Sequence, residues 1–501
     1  MSIWPPDRAA AQAPPFVTID TGQLEGASSG GLDRFLGIPY AAPPVGERRW
    51  RPPEPPTPWN GVRAATTFSD DCPQRRPPWD RTQSDRTISE DCLTLNVWRP
   101  SAAEGALPVM VWIHGGGFVM GSSSQATLDG GAIARRGVIV VSFNYRLGRF
   151  GFFAHPALSA EQAGGPLGNY GMMDQLAALR WVQRNIAAFG GDPGNVTIFG
   201  ESAGGTSALH LMVMEEARGL FHRAIAQSSA GRDRWPALTT PTHRPSAEAI
   251  GERFSREAGL QSASVGDLRA LPMETVMGRV DLINSEENTF SGPIVDGVLV
   301  RGSAADGFRS GQQAQIPLLI GVNSNELGAL PGIFRNPMAN RFAGLLGAPR
   351  RDLERIYGGR SAFNRGFVSD FPFVEPARFI AGLSAAAGAP TYLYVFDYVS
   401  EARREGSDGA SHATDVPFVF STMGEVWEGV TPADQAQSDL MISYWTAFAR
   451  GGDPNGEGRV SWRTYRSDSK ALWLTNDGPV ERDLNTSVLD AIQAAHAARD
   501  Q

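Results

Sequence analysis

Gly200-Glu201-Ser202-Ala203-Gly204 is the segment of this sequence with the clearest chemical meaning. It follows the strand-like run VTIF (Val196–Phe199) and precedes the helix-compatible run TSALHLMVM. A sharp strand-to-helix turn lifts a serine Oγ clear of its surroundings, and glycines on both sides leave room for so tight a bend. A serine caught by chance in a glycine-rich turn would not need that strand and helix on its flanks. The pattern predicts Ser202 as a nucleophile for acyl transfer.

A second pattern, His114-Gly115-Gly116-Gly117-Phe118, comes directly after the run VMVWI. Backbone N–H groups left free in a glycine run can point at developing negative charge. With the N–H of Ala203 they would form an oxyanion hole. A glycine run can also be merely a flexible loop. Its position after a buried strand, in a chain that also carries a nucleophile turn, favours the anion-binding role, with His114 bracing the loop.

A serine nucleophile needs a base, and the chain has seven histidines. His210 and His222 follow the serine too closely to return to it, His155 and His243 sit in Pro-flanked loops, and His496 lies in a polar C-terminal helix. The chain order nucleophile, acid, base places the histidine after a late strand. His412, in the loop GASHATDVPF beyond the strand YLYVFD, meets that condition. The acid must then end a strand between Ser202 and His412. PLLIGV followed by NSNE puts Glu326 there, ahead of Asp296 in a turn and Asp397, which is close in sequence to His412.

These groups need a rigid frame, and the apolar pattern supplies one. LPVMVWIHG (Leu107–Gly115), GVIVVSFNY (Gly137–Tyr145), VTIF, AIAQS, PLLIGV, YLYVFD and ALWLT read as buried strands. Apolar residues at spacings of three and four predict a helix over Gly171–Gly190, followed by a GGDPGN turn. Helical patterns between most strands give an α/β fold with a mostly parallel sheet flanked by helices. The first 60 residues, rich in Pro, read as a small N-terminal sheet, and the region from about Ala230 to Lys470 as helical insertions around a pocket. No repeat or long linker divides residues 1–501, so one elaborated domain is expected.

Composition closes off other classes. The net charge of −8 without a basic run argues against nucleic acid or an anionic membrane as partner. No stretch reaches the roughly 18 apolar residues of a membrane helix. MSIWPPDRAAAQAPPF lacks the continuous apolar core of a secretory signal, which leaves a cytoplasmic location, or a secreted or periplasmic one after removal of a signal. Cys72 and Cys92, the two cysteines, are either packed thiols or, in an oxidising compartment, one disulfide. Neither has the partners of a zinc site nearby.

Nearly end to end, the chain resembles the type B carboxylesterases, the family of cholinesterases and bacterial para-nitrobenzyl esterases. The resemblance is carried by FLGIPYAAPPVGERRW (Phe35–Trp50), SEDCLTLNVW (Ser89–Trp98), WIHGGGF, FNYRLGRFGF (Phe143–Phe152), the long segment Asn169–Gly205, GVNSNEL and H-x-x-D-x-P-F-V-F. It implies an α/β-hydrolase fold, the triad Ser202, Glu326 and His412, and the oxyanion donors Gly116, Gly117 and Ala203. It also implies a Cys72–Cys92 disulfide, a supporting role for Ser228 beside the triad acid, and the ion pairs Arg49 with Glu90 and Arg146 with Asp174. Two departures count against choline esters. Trp79 stands at a different distance from Glu90 than the choline-binding tryptophan, and SEENTFS (285–291) lacks the aromatic pair that narrows the acyl pocket. A bacterial-type esterase of broad or xenobiotic specificity is the expectation, as a monomer or homodimer acting on a small-molecule ester without metal or organic cofactor. An amidase or specialised toxin-ester hydrolase would use the same residues. A non-catalytic binding protein of the same fold would not need all three triad groups and the glycine run.

Overall fold

The structure, a computed structural model, describes residues 13–77, 80–102, 105–242, 244–282, 292–466, 470–484 and 487–499. Five short strands come first: β1 (Phe16–Ile19), β2 (Gly22–Glu25), β3 (Ala27–Ser29), β4 (Leu32–Pro39) and β5 (Val62–Ala64). The longer apolar runs then form β6 (Thr94–Pro100), β7 (Leu107–Ile113), β8 (Ile139–Phe143), β9 (Gly191–Glu201) and β10 (Arg223–Gln227). β11 (Leu318–Asn323), β12 (Thr391–Phe396), β13 (Lys470–Thr475) and β14 (Gly478–Asp483) complete the set.

Among the described residues β1, β2 and β5 make the small N-terminal sheet, and eleven strands make the large one, ordered β14-β13-β12-β11-β10-β9-β7-β8-β6-β4-β3. From β13 to β8 neighbours run parallel, and the strands at both margins are antiparallel. The expected N-terminal sheet therefore holds only part of its segment. The run FLGIP becomes β4 and joins the large sheet through β6, with a bulge between Phe35 and Ile38.

Continuous apolar strands are what a sheet covered on both faces requires. Along β7, Val109, Val111 and Ile113 enter one core, while Met110 and Trp112 enter another. β8, β11 and β12 divide their side chains the same way, so alternation along each strand builds the two cores at once. The helices that cover them include α1 (Tyr170–Asn185), α2 (Ala203–Val213), α3 (Gly332–Leu346), α4 (Arg360–Ser369), α5 (Glu375–Ala386), α6 (Pro432–Gly451) and α7 (Ser487–Arg499). α1 ends five residues before the predicted Gly190, because Ile186–Phe189 tightens into a 3₁₀ turn and Gly190 closes it in the left-handed region, φ 83°. Beyond Gly190, the rest of the expected GGDPGN turn is instead the start of β9, which pairs with β7 across a register shift. In the insertion, α3 and α4 bury Ala339, Leu346, Phe363 and Phe367 in a satellite core completed by Ile492 of α7.

Both ion pairs and the disulfide implied by the resemblance are present. Cys72 and Cys92 are bonded. Arg49 Nε donates to Glu90 Oε2 at 2.8 Å. Arg146 donates from Nε and Nη2 to the two Asp174 oxygens, both at 2.8 Å, and its backbone N–H adds a third bond at 3.0 Å. Asp174 is wholly buried, and burial raises its carboxyl pKa against the pull of Arg146. Removing one partner of such a pair leaves an uncompensated buried charge, which costs about 3–5 kcal/mol. Asp174→Ala is expected to lose that much in a denaturant titration. A loss within experimental error would mean that Arg146 finds another acceptor.

Candidate active site

The sheet brings three chain segments to one edge. Ser202 follows β9, Glu326 follows β11 by a short turn, and His412 lies in the loop beyond β12. All three leave the carboxyl ends of parallel strands, where open α/β sheets place their crevice.

Ser202 has φ 55° and ψ −120°, a conformation that costs free energy for a residue with a Cβ. It persists because the surroundings leave no alternative. A Cβ on Gly200 would lie 2.6 Å from the backbone of Gly204, and one on Gly204 only 1.9 Å from the Ile113 carbonyl oxygen. The Ser202 N–H is tied to Gln227 O at 2.9 Å. Ala203 opens α2, so its N–H has no intrahelical carbonyl to bind.

His412 spans the other two groups. Its Nε2 lies 3.0 Å from Ser202 Oγ and its Nδ1 2.6 Å from Glu326 Oε2. With the Nδ1 proton given to the carboxylate, Nε2 is the free acceptor that faces the serine hydroxyl. Glu326 is itself anchored, since Oε1 accepts the Asn323 N–H at 2.8 Å and its carbonyl accepts the His412 N–H at 2.9 Å. Phe373 lies against the imidazole, ring centres 4.7 Å apart.

The glycine run passes directly over this turn. A Cβ on Gly115 would be 3.2 Å from Ser202 Cβ. Gly116 and Gly117 take φ of 100° and 62°, and among the described residues neither N–H meets an acceptor. His114 is buried and stacks on Tyr145 at 4.3 Å, with Nδ1 bonded to Gly115 O at 2.9 Å. Burial drives its pKa down to about 4, so it stays neutral and structural.

Two carboxyl groups join the site that the sequence reading passed over. Glu201 Oε1 lies 3.2 Å from His412 Nε2, and burial pushes the Glu201 carboxyl up to about 8. Asp415 is fully buried between Gln227 Nε2 at 2.6 Å and Asn323 Nδ2 at 3.1 Å, and burial raises it too. Both stood inside quoted motifs, next to the serine and three residues after the histidine. For His412, burial presses the pKa down, but the negative charges of Glu201, Glu326 and Asp415 outweigh it and push it up to about 9.

Other candidates are occupied elsewhere. Asp296 accepts the N–H groups of Leu167, Val298 and Val300. His155 caps a short helix, His210 pairs with Asp233 at 2.9 Å, and His222 accepts the Val196 N–H. The Ser228 hydroxyl is buried without a hydrogen-bond partner among the described residues, so it does not reach the Glu326 carboxylate. His243, Trp79 and residues 285–291 lie outside the described residues. No described helix is long and apolar enough to cross a membrane.

The family model for the carboxylesterase family matches residues 13–339 and 360–492. The chain belongs to the carboxylesterase family. Like other members, this carboxylesterase is a carboxylic ester hydrolase with an α/β-hydrolase fold. It is 35% identical over 465 residues to the fumonisin B1 esterase of Sphingopyxis macrogoltabida, covering 89% of this chain and 83% of that protein. With the para-nitrobenzyl esterase of Bacillus subtilis it shares 34% identity over 498 residues, 93% of this chain and 96% of the relative. A solved PNB esterase structure superposes with a TM-score of 0.85 at 32% identity, covering 95% of this chain and 99% of that one.

The charges around His412 have a measurable sign. Imidazole must be neutral to take a proton from serine, so if His412 is the base, activity falls as pH drops through its pKa. Glu201→Gln removes a negative charge that favours imidazolium. The acid limb of kcat/KM is therefore expected to move to lower pH in this variant. An unchanged or higher midpoint in a pH–rate profile would show that Glu201 carries no charge in the active enzyme.

Proposed function

We propose that Ser202, His412 and Glu326 act as nucleophile, general base and orienting acid in the hydrolysis of carboxylic esters. The observation that carries the reading is the single imidazole bonded to both Ser202 Oγ and Glu326 Oε2, at 3.0 and 2.6 Å. In the first half-reaction Ser202 Oγ bonds to the ester carbonyl carbon while its proton passes to His412 Nε2. The carbonyl oxygen takes up the charge, and the N–H groups of Gly116, Gly117 and Ala203 receive it. His412 returns the proton to the departing alkoxide, which leaves as alcohol. Water, deprotonated by the same nitrogen, then attacks the acyl-enzyme and releases the acid. The Glu326 charge holds the productive tautomer and favours the transient imidazolium. Each step uses protein groups and water alone.

The substrates are read as small esters of broad or xenobiotic type. The names of two relatives, a fumonisin B1 esterase and a para-nitrobenzyl esterase, point the same way. One elaborated domain over residues 1–501 and a single chain as the catalytic unit fit the architecture. Strands from both ends of the chain share one sheet, and no second copy is needed to complete the site.

Ser202→Ala is expected to fold normally and to lose kcat by up to roughly 10⁶-fold on a para-nitrophenyl ester. Glu326→Gln should lose several orders of magnitude by removing the group that orients the base. An organophosphate should modify Ser202 in the wild type. Labelling of a different serine in step with inactivation would refute the assignment. A panel of esters, amides and lactones then fixes the substrate class, with preferential turnover of amides ruling out the esterase reading.

A further inference from the structure

The glycine run does not support itself. A Cβ on Gly116 would lie 2.1 Å from the Met120 carbonyl oxygen, and one on Gly121 would lie 2.5 Å from His114 Nδ1 and 2.6 Å from Gly115 O. The chain at 120–121 therefore folds back in direct contact with 114–116, and Gly121 takes φ 111° to do so. Whatever fixes Gly121 fixes the floor under the N–H groups of Gly116 and Gly117.

That floor is held by the disulfide-closed loop. Gln74 is buried, and its amide meets the Gly121 backbone twice: the Gly121 N–H donates to Gln74 Oε1 at 2.8 Å, and Gln74 Nε2 donates to Gly121 O at 2.8 Å. The same Nε2 also donates to Cys72 O at 3.1 Å, which ties the clamp to the root of the bridged loop. Beside it, the buried Asp71 carboxylate accepts the hydroxyls of Ser122 and Ser124, both at 2.6 Å. A primary amide facing the N–H and C=O of one residue in this way satisfies its donor and acceptor together, and both bonds lie out of water.

We propose that Gln74 is a positioning residue for the oxyanion hole, setting through Gly121 where the Gly116 and Gly117 N–H groups stand over Ser202. The inference rests on the reading of those two groups as oxyanion donors. Gln74 touches neither substrate nor reacting atom. Its loss lets the glycine run move relative to the serine, and misplacement of about 1 Å in such a site can cost about 10²-fold in rate.

Gln74→Ala and Gln74→Glu separate this role from simple stabilisation. The glutamate keeps an acceptor for the Gly121 N–H and loses the donor to Gly121 O. Two readouts are taken well below each variant's melting temperature: kcat and KM on a para-nitrophenyl ester, and the affinity of an aryl trifluoromethyl ketone. Ser202 Oγ adds to the ketone carbon, His412 takes the proton, and the oxygen becomes an oxyanion. The expected result is a fall in kcat of about 10- to 100-fold for alanine and less for glutamate, with KM little changed. Ketone affinity should fall in proportion to kcat/KM. Wild-type kcat and ketone affinity in folded variants, whatever happens to melting temperature, would overturn the proposal. Should neither variant fold, amide exchange on the wild-type enzyme decides. A Gly121 N–H that exchanges as slowly as the core strands supports the clamp, and rapid exchange in the folded state overturns it. A wild-type enzyme that hydrolyses the ester but gains nothing from the ketone would instead count against the oxyanion reading itself.

Discussion

The approach of α2 to the end of β7 is the constraint on which the site depends. Gly204, in the first turn of that helix, passes so close to the Ile113 carbonyl that no side chain fits between them. Ile113 is the last residue of β7, and His114 after it begins the glycine run. One steric condition thus does two things. It holds Ser202 in its positive-φ turn, and it brings the glycine run over the serine. Since β7 and β9 are hydrogen-bonded neighbours in the sheet, the relation between Ser202 and the glycine run is inherited from strand register rather than set by flexible loops. The strain at Ser202 is offset by the packing of two whole cores on either face of that sheet.

Electrostatics supplies the second layer. Glu201, Glu326 and Asp415 surround one imidazole, and among the described residues no lysine or arginine pairs with Glu201. Carboxylates this close cannot all keep full charge without cost, and burial raises Glu201 and Asp415 accordingly. In the proposed mechanism, the imidazolium formed during proton transfer is the counter-charge that relieves them. On that proposal the resting enzyme pairs an electrostatically uncomfortable site with a reaction that makes it less so, which would lower the barrier to forming His412⁺. Glu201 and His412, 3.2 Å apart, titrate as a pair rather than as two independent groups.

Much of this was legible from residue patterns because the patterns are local. Continuous apolar runs marked β7, β8 and β10 to β13 closely, and Gly-x-Ser-x-Gly marked the turn at Ser202, since both are dictated by what neighbours along the chain can do sterically. The less legible parts depend on distant contacts. FLGIP looked like part of a separate N-terminal sheet, and only pairing with β6 draws it into the large one. GGDPGN has turn chemistry, yet pairing with β7 draws all but its first residue into a strand. Glu201 was in plain view beside the serine, but its closeness to His412 depends on two loops from strands far apart in sequence. The hydroxyl of Ser228 shows the converse. A residue can occupy an expected position while its hydroxyl, buried without a hydrogen-bond partner among the described residues, does not make the expected contact.

The satellite core of the insertion has a consequence for how the molecule is made. α3 and α4 bring together Ala339, Leu346, Phe363 and Phe367, and Ile492 of α7 closes the cluster. During synthesis those two helices emerge well before α7, so their apolar faces wait uncovered while β12, α6 and the last strands are still being added. Domains fold in the order the ribosome delivers them, and exposed apolar surface in that interval is what holdase chaperones recognise and what aggregation exploits. The lobe beside Glu326 is thus among the last parts of the newborn chain to become sound, and a ribosome stalled shortly before α7 would release a protein with a finished sheet and an unsealed flank.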